Sequence, residues 1–419
     1  MAAGPSDPLL AAASRGAAAF CRKKPPEMKI RAAILKQSPV AAPFAQSRPL
    51  AIEDVELDPP GPEELLVRIG ATGLCHSDLS VINGNRPRQT PMILGHEAAG
   101  TVIGIGSAIR DFVAGDRVVM TFQPSCGHCL PCVEGRAALC IPGAEANDKG
   151  VMMAGGVRLH DAHDHHDIHH HCGISGYADH AVVSRHSVVK VDAPEVPFAE
   201  LALFGCAVQT GVGAIINTCR VQPGQSVAIV GLGGVGLAAL LGAVAAGATE
   251  IVAIDLSEQK LAVARDLGAT RVYNASDRDV IDRVRADTRG GVDHAVEVAG
   301  AAPAFDLAYR ITRRGGQTVS AGLASPTAEF RIPAVNIVAD ERTVKGSYMG
   351  SCVPQRDIPR FINLYRAGKL PVDRLLTDVL SLDEINEGFD RLDRGEAIRQ
   401  VVLFDPQEIA RWRAEKAAE

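Results

Sequence analysis

The sequence predicts an α/β protein of two units, in which a β-rich unit is interrupted by a doubly wound parallel sheet. Three observations predict it. From Met28 onward, short apolar runs are bounded by Gly, Pro and Asp. Near Pro223 the texture changes, and continuous apolar runs begin to alternate with Ala- and Leu-rich stretches. The chain has 419 residues, 47% of them hydrophobic, which is enough apolar material for two cores and too much for one ordinary domain.

In the first part, residues 30–35, 64–69, 100–105 and 116–120 are expected strands, because short, turn-bounded apolar runs favour β structure. Beyond Pro223, residues 226–230, 251–254, 294–298 and 317–321 are expected strands of the buried type. Residues 237–246 and 260–267 are expected helices, the second ended by Gly268. Strands that alternate with helices must pair in parallel, since each helix carries the chain back across the sheet. After about Tyr348 the alternation weakens, and the C-terminal segment is expected to rejoin the first unit.

Charged residues make up 22% of the chain and the net charge is -6, with no clustered basic stripe, so a nucleic-acid partner is excluded. No uncharged apolar run is read as reaching the length needed to span a bilayer. Ten cysteines in so long a chain do not form a small disulfide scaffold, and four of them fall between Cys126 and Cys140, which suits metal binding in a reducing, cytoplasmic setting. Residues 1–27 are Ala-rich and break at Pro25-Pro26. They are expected to be a disordered extension or the product of an upstream start codon, with an organelle transit peptide as the alternative. Seven histidines crowd into residues 160–171, interleaved with Asp161, Asp164 and Asp167. This tract is expected to be a surface loop, with adventitious metal binding as the alternative.

Gly231, Gly233 and Gly236 fall in G-x-G-x-x-G spacing, a weak signal in a chain with 41 glycines. Here the loop follows an expected strand and opens an expected helix, which is the context a dinucleotide requires. Gly231 allows the tight turn, Gly233 the approach of pyrophosphate, and Gly236 close packing of helix on strand. Asp255 ends the next strand, 19 residues beyond Gly236. A carboxylate there accepts hydrogen bonds from ribose hydroxyls and repels a 2′-phosphate, which favours NAD over NADP.

Cys126, Cys129, Cys132 and Cys140 follow C-x2-C-x2-C-x7-C spacing. Four thiolates this close can enclose zinc tetrahedrally with no open position, a structural site; an iron–sulfur cluster or disulfides are the alternatives. Three further motifs, Gly73-Leu-Cys75-His-Ser77-Asp78, Gly95-His96-Glu97 and the Cys206 to Thr210 segment, each read singly as buried structural residues. Together Cys75, His96 and Cys206 offer two thiolates and an imidazole, which leaves a fourth metal position open for water or substrate. Asp78 and Glu97 flank them as supporting groups or alternative ligands.

With these motifs in place, the chain from about Met28 to Phe404 resembles the zinc-containing medium-chain alcohol dehydrogenases. It is most similar to the longer branch, which includes aryl alcohol and thiol-dependent formaldehyde dehydrogenases. The resemblance implies a GroES-like catalytic domain from residues 28–208 and 349–419, and a Rossmann NAD-binding domain from residues 209–348. It also implies two zinc ions per chain, one catalytic and one structural. Cys75, His96 and Cys206 resemble the catalytic ligands, Glu97 the carboxylate that can approach the metal, and Asp78 the supporting partner. Ser77 resembles the hydroxyl that takes the alcohol proton and Phe122 a substrate-pocket wall, and the resemblance implies one or two histidines of the 160–171 tract at the substrate entrance. Cofactor contacts are implied for His76, Thr210, Gly234, Val235, Asp255, Lys260 and Arg399, with His76 and Arg399 on the pyrophosphate. One position departs from the family: Ser80 stands where a His usually ends the proton relay. A homodimer paired through edge strands of the nucleotide domain is implied as well.

The expected activity is hydride transfer between a small alcohol and NAD. An alternative is a dehydrogenase for a thiol adduct of formaldehyde, which needs cations for the thiol's carboxylates; Arg136 and Arg158 are the candidates. A non-catalytic, zinc-bound scaffold is the alternative of another class.

Overall fold

The computed structural model describes residues 28–418. The expectation for residues 1–27 lies outside them. Strands from the two ends of the chain build one β-rich unit. Met28–Leu35, Leu50–Leu57, Leu159–Asp161, Asp167–His170 and Met92–Ile93 close into a small barrel. Beside it, Val188–Lys190, Arg117–Met120, Ala98–Ile105, Glu64–Gly73, Arg399–Leu403 and Leu376–Leu380 lie in that order in a second sheet, with His180–Ser184 also paired to Glu64–Gly73. Arg399–Leu403 runs antiparallel to Glu64–Gly73, with Val401 opposite Gly73. The C-terminal segment therefore rejoins the first unit as expected, and it brings Arg399 beside the Gly73 to Asp78 motif.

The middle of the chain forms a six-stranded parallel sheet. Its order is Arg271–Asn274, Glu250–Asp255, Ser226–Val230, Val292–Glu297, Thr312–Ser320 and Thr343–Gly346. The first strand in sequence sits centrally and successive crossovers build outward to both sides, so the loop after Ser226–Val230 lies where the direction of winding reverses. That reversal opens a crevice at the carboxyl ends of the strands, the usual ligand position in such sheets.

The expected strands are all present, each end within five residues of its expected position. The helix expected at 237–246 is Gly234–Ala245. Its first turn is written in glycines, whose low helix propensity hid it. The helix expected at 260–267 is Glu258–Asp266, capped by the Ser257 side chain, which accepts from the Lys260 N–H. Gly268 follows with φ +112°, as a helix-ending glycine should.

The expectation about apolar runs needs correction. Phe198–Cys219 is a continuous 22-residue helical segment, long and apolar enough to cross a membrane by length and composition. It is instead a core helix: 83% of its apolar window is buried inside the protein, packed against Gly234–Ala245 and the sheets. Continuous apolarity here reflects burial on all sides. The segment also spans the division expected between residues 208 and 209 without a break.

Candidate active site

Three elements bring the first cluster together. Cys75 caps the N-terminus of helix His76–Ile82. His96 and Glu97 follow Gly95, which has φ +89° and on which a Cβ would lie 2.6 Å from the Tyr177 nitrogen, so that glycine alone fits the bend. Cys206 sits in a π-helical turn, Phe204–Val208, inside the long core helix. Widened turns of this kind recur at functional sites because they re-aim a side chain. One ligand atom each from Cys75, His96, Glu97 and Cys206 lies within 4.8 Å of the others, and all four residues are buried. Cys206 Sγ is 3.4 Å from His96 Nε2.

The electrostatics of this cluster suit a cation. The two buried thiols share one hydrogen bond, which holds Cys75 below the usual thiol range and pushes Cys206 above it. Burial pushes His96 down, but the charge of Asp78 overrides it and raises the imidazole. Burial raises Glu97 to about 7, against the pull of Arg399. Both Glu97 carboxylate oxygens are buried without a hydrogen bond, although Arg399 Nη1 lies 3.3 Å from Oε2. Two thiols, one imidazole and an unsatisfied carboxylate, free of disulfides, form a donor set that zinc fits.

Asp78 supports the cluster. It is fully buried, and its Oδ1 lies 3.1 Å from His96 Nδ1 and accepts from the Gly95 N–H at 3.1 Å. Tyr177 donates its hydroxyl to Oδ2 at 2.9 Å. The carboxylate thereby fixes the imidazole so that Nε2 faces the two thiols. Sequence reasoning missed Tyr177, which no motif marks.

Phe122 packs edge-on against His96, with ring centroids 5.7 Å apart, and Tyr348 packs edge-on against Phe122 at the same separation. An aromatic wall therefore runs from the metal cluster to a cavity of about 410 Å³ lined by Arg136, Leu139, Ser320, Leu323, Ser347 and Tyr348. Tyr348 was also not identified from sequence; only the fold brings it to Phe122. Ser77, beside Cys75, is half-buried. Ser80 donates its hydroxyl to the His76 carbonyl at 2.8 Å, so it turns back onto its own helix.

The glycine loop has the backbone geometry of a tight strand-to-helix turn. Gly231 has φ +98°, and a Cβ there would lie 2.8 Å from the Ala299 nitrogen. A Cβ on Gly236 would overlap the Gly231 carbonyl, and nothing lies within 4 Å of one on Gly233, which faces open space. Val235 follows in the first helical turn. A Cβ on Gly234 would overlap the Arg399 guanidinium, whose Nε is buried and unpaired. An orphaned cationic donor over a helix N-terminus is a ready anion cradle. Burial, with the charges of Arg399 and Lys260, holds His76 below the usual imidazole range, so two cations converge on a neutral imidazole there. Asp255 ends its strand against the loop and accepts from the Leu232 N–H at 2.6 Å and the Ser257 N–H at 2.9 Å. Thr210 is buried in the core helix, where its carbonyl approaches Gly350, and the structure gives it no side-chain partner at the loop.

The four-cysteine lobe is preassembled. Ligand atoms of Cys126, Cys129, Cys132 and Cys140 lie within 4.8 Å of one another. Cys126 Sγ accepts from the Cys129 N–H at 3.3 Å, and Cys140 Sγ accepts from the Cys126 N–H at 3.2 Å. Such bonds favour thiolates. Cys129 Sγ and Cys140 Sγ are 3.9 Å apart, well beyond a disulfide bond.

The histidine tract divides in two. His160, His165 and His166 pair with Asp58, Glu56 and Asp164 in or beside the surface turn of a hairpin. The end of the tract turns inward: His170 is buried, and His171 reaches Asp78. The surface-loop expectation therefore holds only for the first part.

A doubly wound sheet whose glycine loop faces a two-thiol, one-imidazole metal set defines a metal-dependent nicotinamide dehydrogenase. Comparison with known proteins gives the family. Residues 61–193 match the alcohol dehydrogenase GroES-like domain, and residues 234–367 match the zinc-binding dehydrogenase domain. A geraniol dehydrogenase of Castellaniella defragrans is 38% identical over 357 residues, 85% of this chain and 95% of that protein. An S-(hydroxymethyl)glutathione dehydrogenase of Escherichia coli is 34% identical over 372 residues, 88% of this chain and 100% of that protein. The crystal structure of benzyl alcohol dehydrogenase from Acinetobacter calcoaceticus superposes with a TM-score of 0.84 at 30% identity, covering 90% of this chain and 100% of that one. The chain belongs to the zinc-containing medium-chain alcohol dehydrogenases. It is a zinc-dependent oxidoreductase of the hydride-transfer class.

Proposed function

We propose that this chain oxidises primary alcohols whose carbinol carbon adjoins an aromatic ring or a double bond, with NAD as hydride acceptor, and runs the reverse reduction of the aldehydes. The observation that carries the substrate class is the edge-to-face wall His96–Phe122–Tyr348, which leads from the metal cluster to the cavity. Such a wall favours a flat π-face. The names of the geraniol and benzyl alcohol dehydrogenases agree with that class.

When bound, zinc supplies Lewis-acid polarisation of the substrate oxygen and the dinucleotide supplies the hydride acceptor. Cys75, His96 and Cys206 hold the metal, with Glu97 within reach as a fourth ligand. Ser77 takes the alcohol proton at its hydroxyl, within the first turn after Cys75. Ser80 does not continue the path, since its hydroxyl is engaged by the His76 carbonyl. The proton leaves Ser77 toward the cleft. Arg399, His76 and Lys260 orient the cofactor phosphates and ribose, and the Asp255 carboxylate rejects a 2′-phosphate. Cys126, Cys129, Cys132 and Cys140 hold the structural zinc.

The test is NADH formation by zinc-loaded protein with benzylic, allylic and saturated alcohols. Benzylic and allylic turnover, at least tenfold more efficient than saturated turnover and abolished by Cys75→Ala, is the expected result. Equal efficiency across the panel would overturn the substrate class.

One observation favours a second reading, dehydrogenation of a thiol–formaldehyde adduct: Arg136 lines the cavity beside Tyr348. Arg158, the other cation this reading used, is committed elsewhere. It makes a two-pronged bond to buried Glu64, at 2.8 and 2.9 Å. Turnover only with formaldehyde plus a thiol would establish this reading. The scaffold alternative has no support from the assembled metal cluster or from the relatives.

The same proposal makes the protein a homodimer. Edge strand Thr343–Gly346 is exposed along its whole length, beside exposed Val335 and Val338, and an open edge of this kind templates pairing with a second copy. A light-scattering mass equal to one chain would overturn it. We place the protein in the cytoplasm on the strength of nine free cysteines among the described residues. Fractionation of the cells tests that placement.

A further inference from the structure

His171 is the last of the histidine tract, and the proposed chemistry does not use it. It follows directly on strand Asp167–His170, which carries it inward, and it is 5% exposed. Its Nδ1 lies 3.1 Å from Asp78 Oδ1, the oxygen that also lies 3.1 Å from His96 Nδ1. The two imidazoles meet edge to face with centroids 5.4 Å apart. Asp78, His96 and His171 thus offer three ligand-type atoms within 4.8 Å, all buried. His171 Nδ1 is a buried nitrogen with no well-aligned hydrogen bond, so the Asp78 carboxylate is the acceptor within its reach. A buried polar nitrogen of this kind is costly unless its neighbour serves it.

Asp78 sets the orientation and basicity of the imidazole it holds. A second ring on the same oxygen draws negative charge away from His96 and also wedges the His96 ring from the side. Both effects reach any metal held by His96 Nε2, while His171 itself never enters the two-thiol cluster.

We infer that His171 is a positioning residue for the catalytic metal, acting on His96 by sharing Asp78 Oδ1 and by packing against the His96 ring. The inference rests on the reading of Cys75, His96 and Cys206 as the zinc set. Partners of a metal-bound imidazole typically change metal affinity by roughly 10–100-fold when removed.

The experiment uses the full chain with both zinc sites filled, and compares wild type with His171→Phe and His171→Asn. Two readouts do not depend on turnover. The first is the rate at which a chelator removes the catalytic zinc. The second is the visible absorption of protein carrying Co²⁺ in that site. His171→Phe is expected to release the catalytic zinc about tenfold faster and to shift the Co²⁺ bands, with the four-cysteine zinc retained. His171→Asn, which keeps a donor near Asp78, is expected to fall between. If the Phe variant does not fold, the Asn variant carries the comparison with an expected shift of the same sign. Unchanged release and unchanged Co²⁺ spectra would overturn the inference and leave His171 as a packing residue. A third zinc equivalent, lost on removing His171, would overturn it in favour of a ligand role. A wild-type chain that holds zinc only at the four cysteines would overturn the underlying metal reading, an outcome separable from the others by metal content alone.

Discussion

Arg399 joins the two halves of the site: its Nη1 lies 3.3 Å from Glu97 Oε2 in the metal cluster, while its guanidinium covers Gly234 of the nucleotide loop. The pair is buried, Arg399 at 4% exposure and Glu97 at none. Removing one partner of such a pair leaves an uncompensated charge in the interior. Arg399→Met is therefore expected to lower stability by about 3–5 kcal/mol and to weaken NAD binding at least tenfold. Adding Glu97→Gln in the same chain should return most of the stability and none of the NAD affinity. Urea unfolding and NAD titration of the single and double variants measure both. Additive losses would mean that the two residues are not coupled.

Asp255 has a double duty. Its carboxylate holds the loop by accepting from Leu232 and Ser257, and its place at the end of the strand is the one proposed to meet the adenosine ribose. Asp255→Asn removes the charge and keeps one acceptor oxygen, so one of the two loop N–H groups loses its partner. The ratio of kcat/KM for NADP to that for NAD is expected to rise at least tenfold, with a modest fall in melting temperature from the one lost loop bond. A ratio that stays constant would place cofactor choice elsewhere.

Much of this was legible in the sequence because the chemistry sits in short local motifs. Gly231 to Gly236 and Cys126 to Cys140 each carry several residues of one site within a single turn or lobe, so spacing alone encodes the geometry. The strands were legible through their buried, continuous apolarity. The misses are of another kind. Tyr348 meets Phe122, and His171 and Tyr177 meet Asp78, only after the sheets have formed, and no local periodicity marks such pairs. The core helix Phe198–Cys219 is longer and more apolar than the reading of run lengths allowed, and composition cannot tell lipid from protein as its apolar surroundings.

The four-cysteine lobe leaves Leu130, Val133 and Ile141 exposed, so a zinc held by its four cysteines would be what ties it together. A structural zinc site contributes folding energy directly. Cys129→Ser is expected to lower zinc content from two per chain to one and to make the lobe sensitive to proteolysis between Cys126 and Lys149. The catalytic Co²⁺ spectrum should persist. Because Leu139 and Arg136 line the cavity from this lobe, KM for the alcohol should rise more than kcat falls. Resistance to protease at one zinc per chain would show that the lobe folds without metal.

His170 supplies a pH dependence of known sign. It is 1% exposed; Arg158 donates its N–H to Nε2 at 3.0 Å, and Ser175 Oγ is 3.2 Å from Nδ1. Burial, with the charges of Arg158 and neighbouring histidines, pushes it down to about 3. In the unfolded chain a histidine titrates near pH 6.5. Between those values the unfolded state carries a proton that the folded state does not, so stability rises with pH across this window and is lost as pH falls from about 6.5 toward 3. One such group gives a slope of up to about 1.4 kcal/mol per pH unit, or roughly 2 kcal/mol between pH 7 and pH 5. His170→Gln keeps an acceptor for the Arg158 N–H and cannot titrate. Its urea unfolding free energy should fall about 2 kcal/mol less than that of wild type over the same interval. Parallel losses in the two proteins would mean that His170 is protonated in the native state, and that the Arg158 N–H does not hold it neutral.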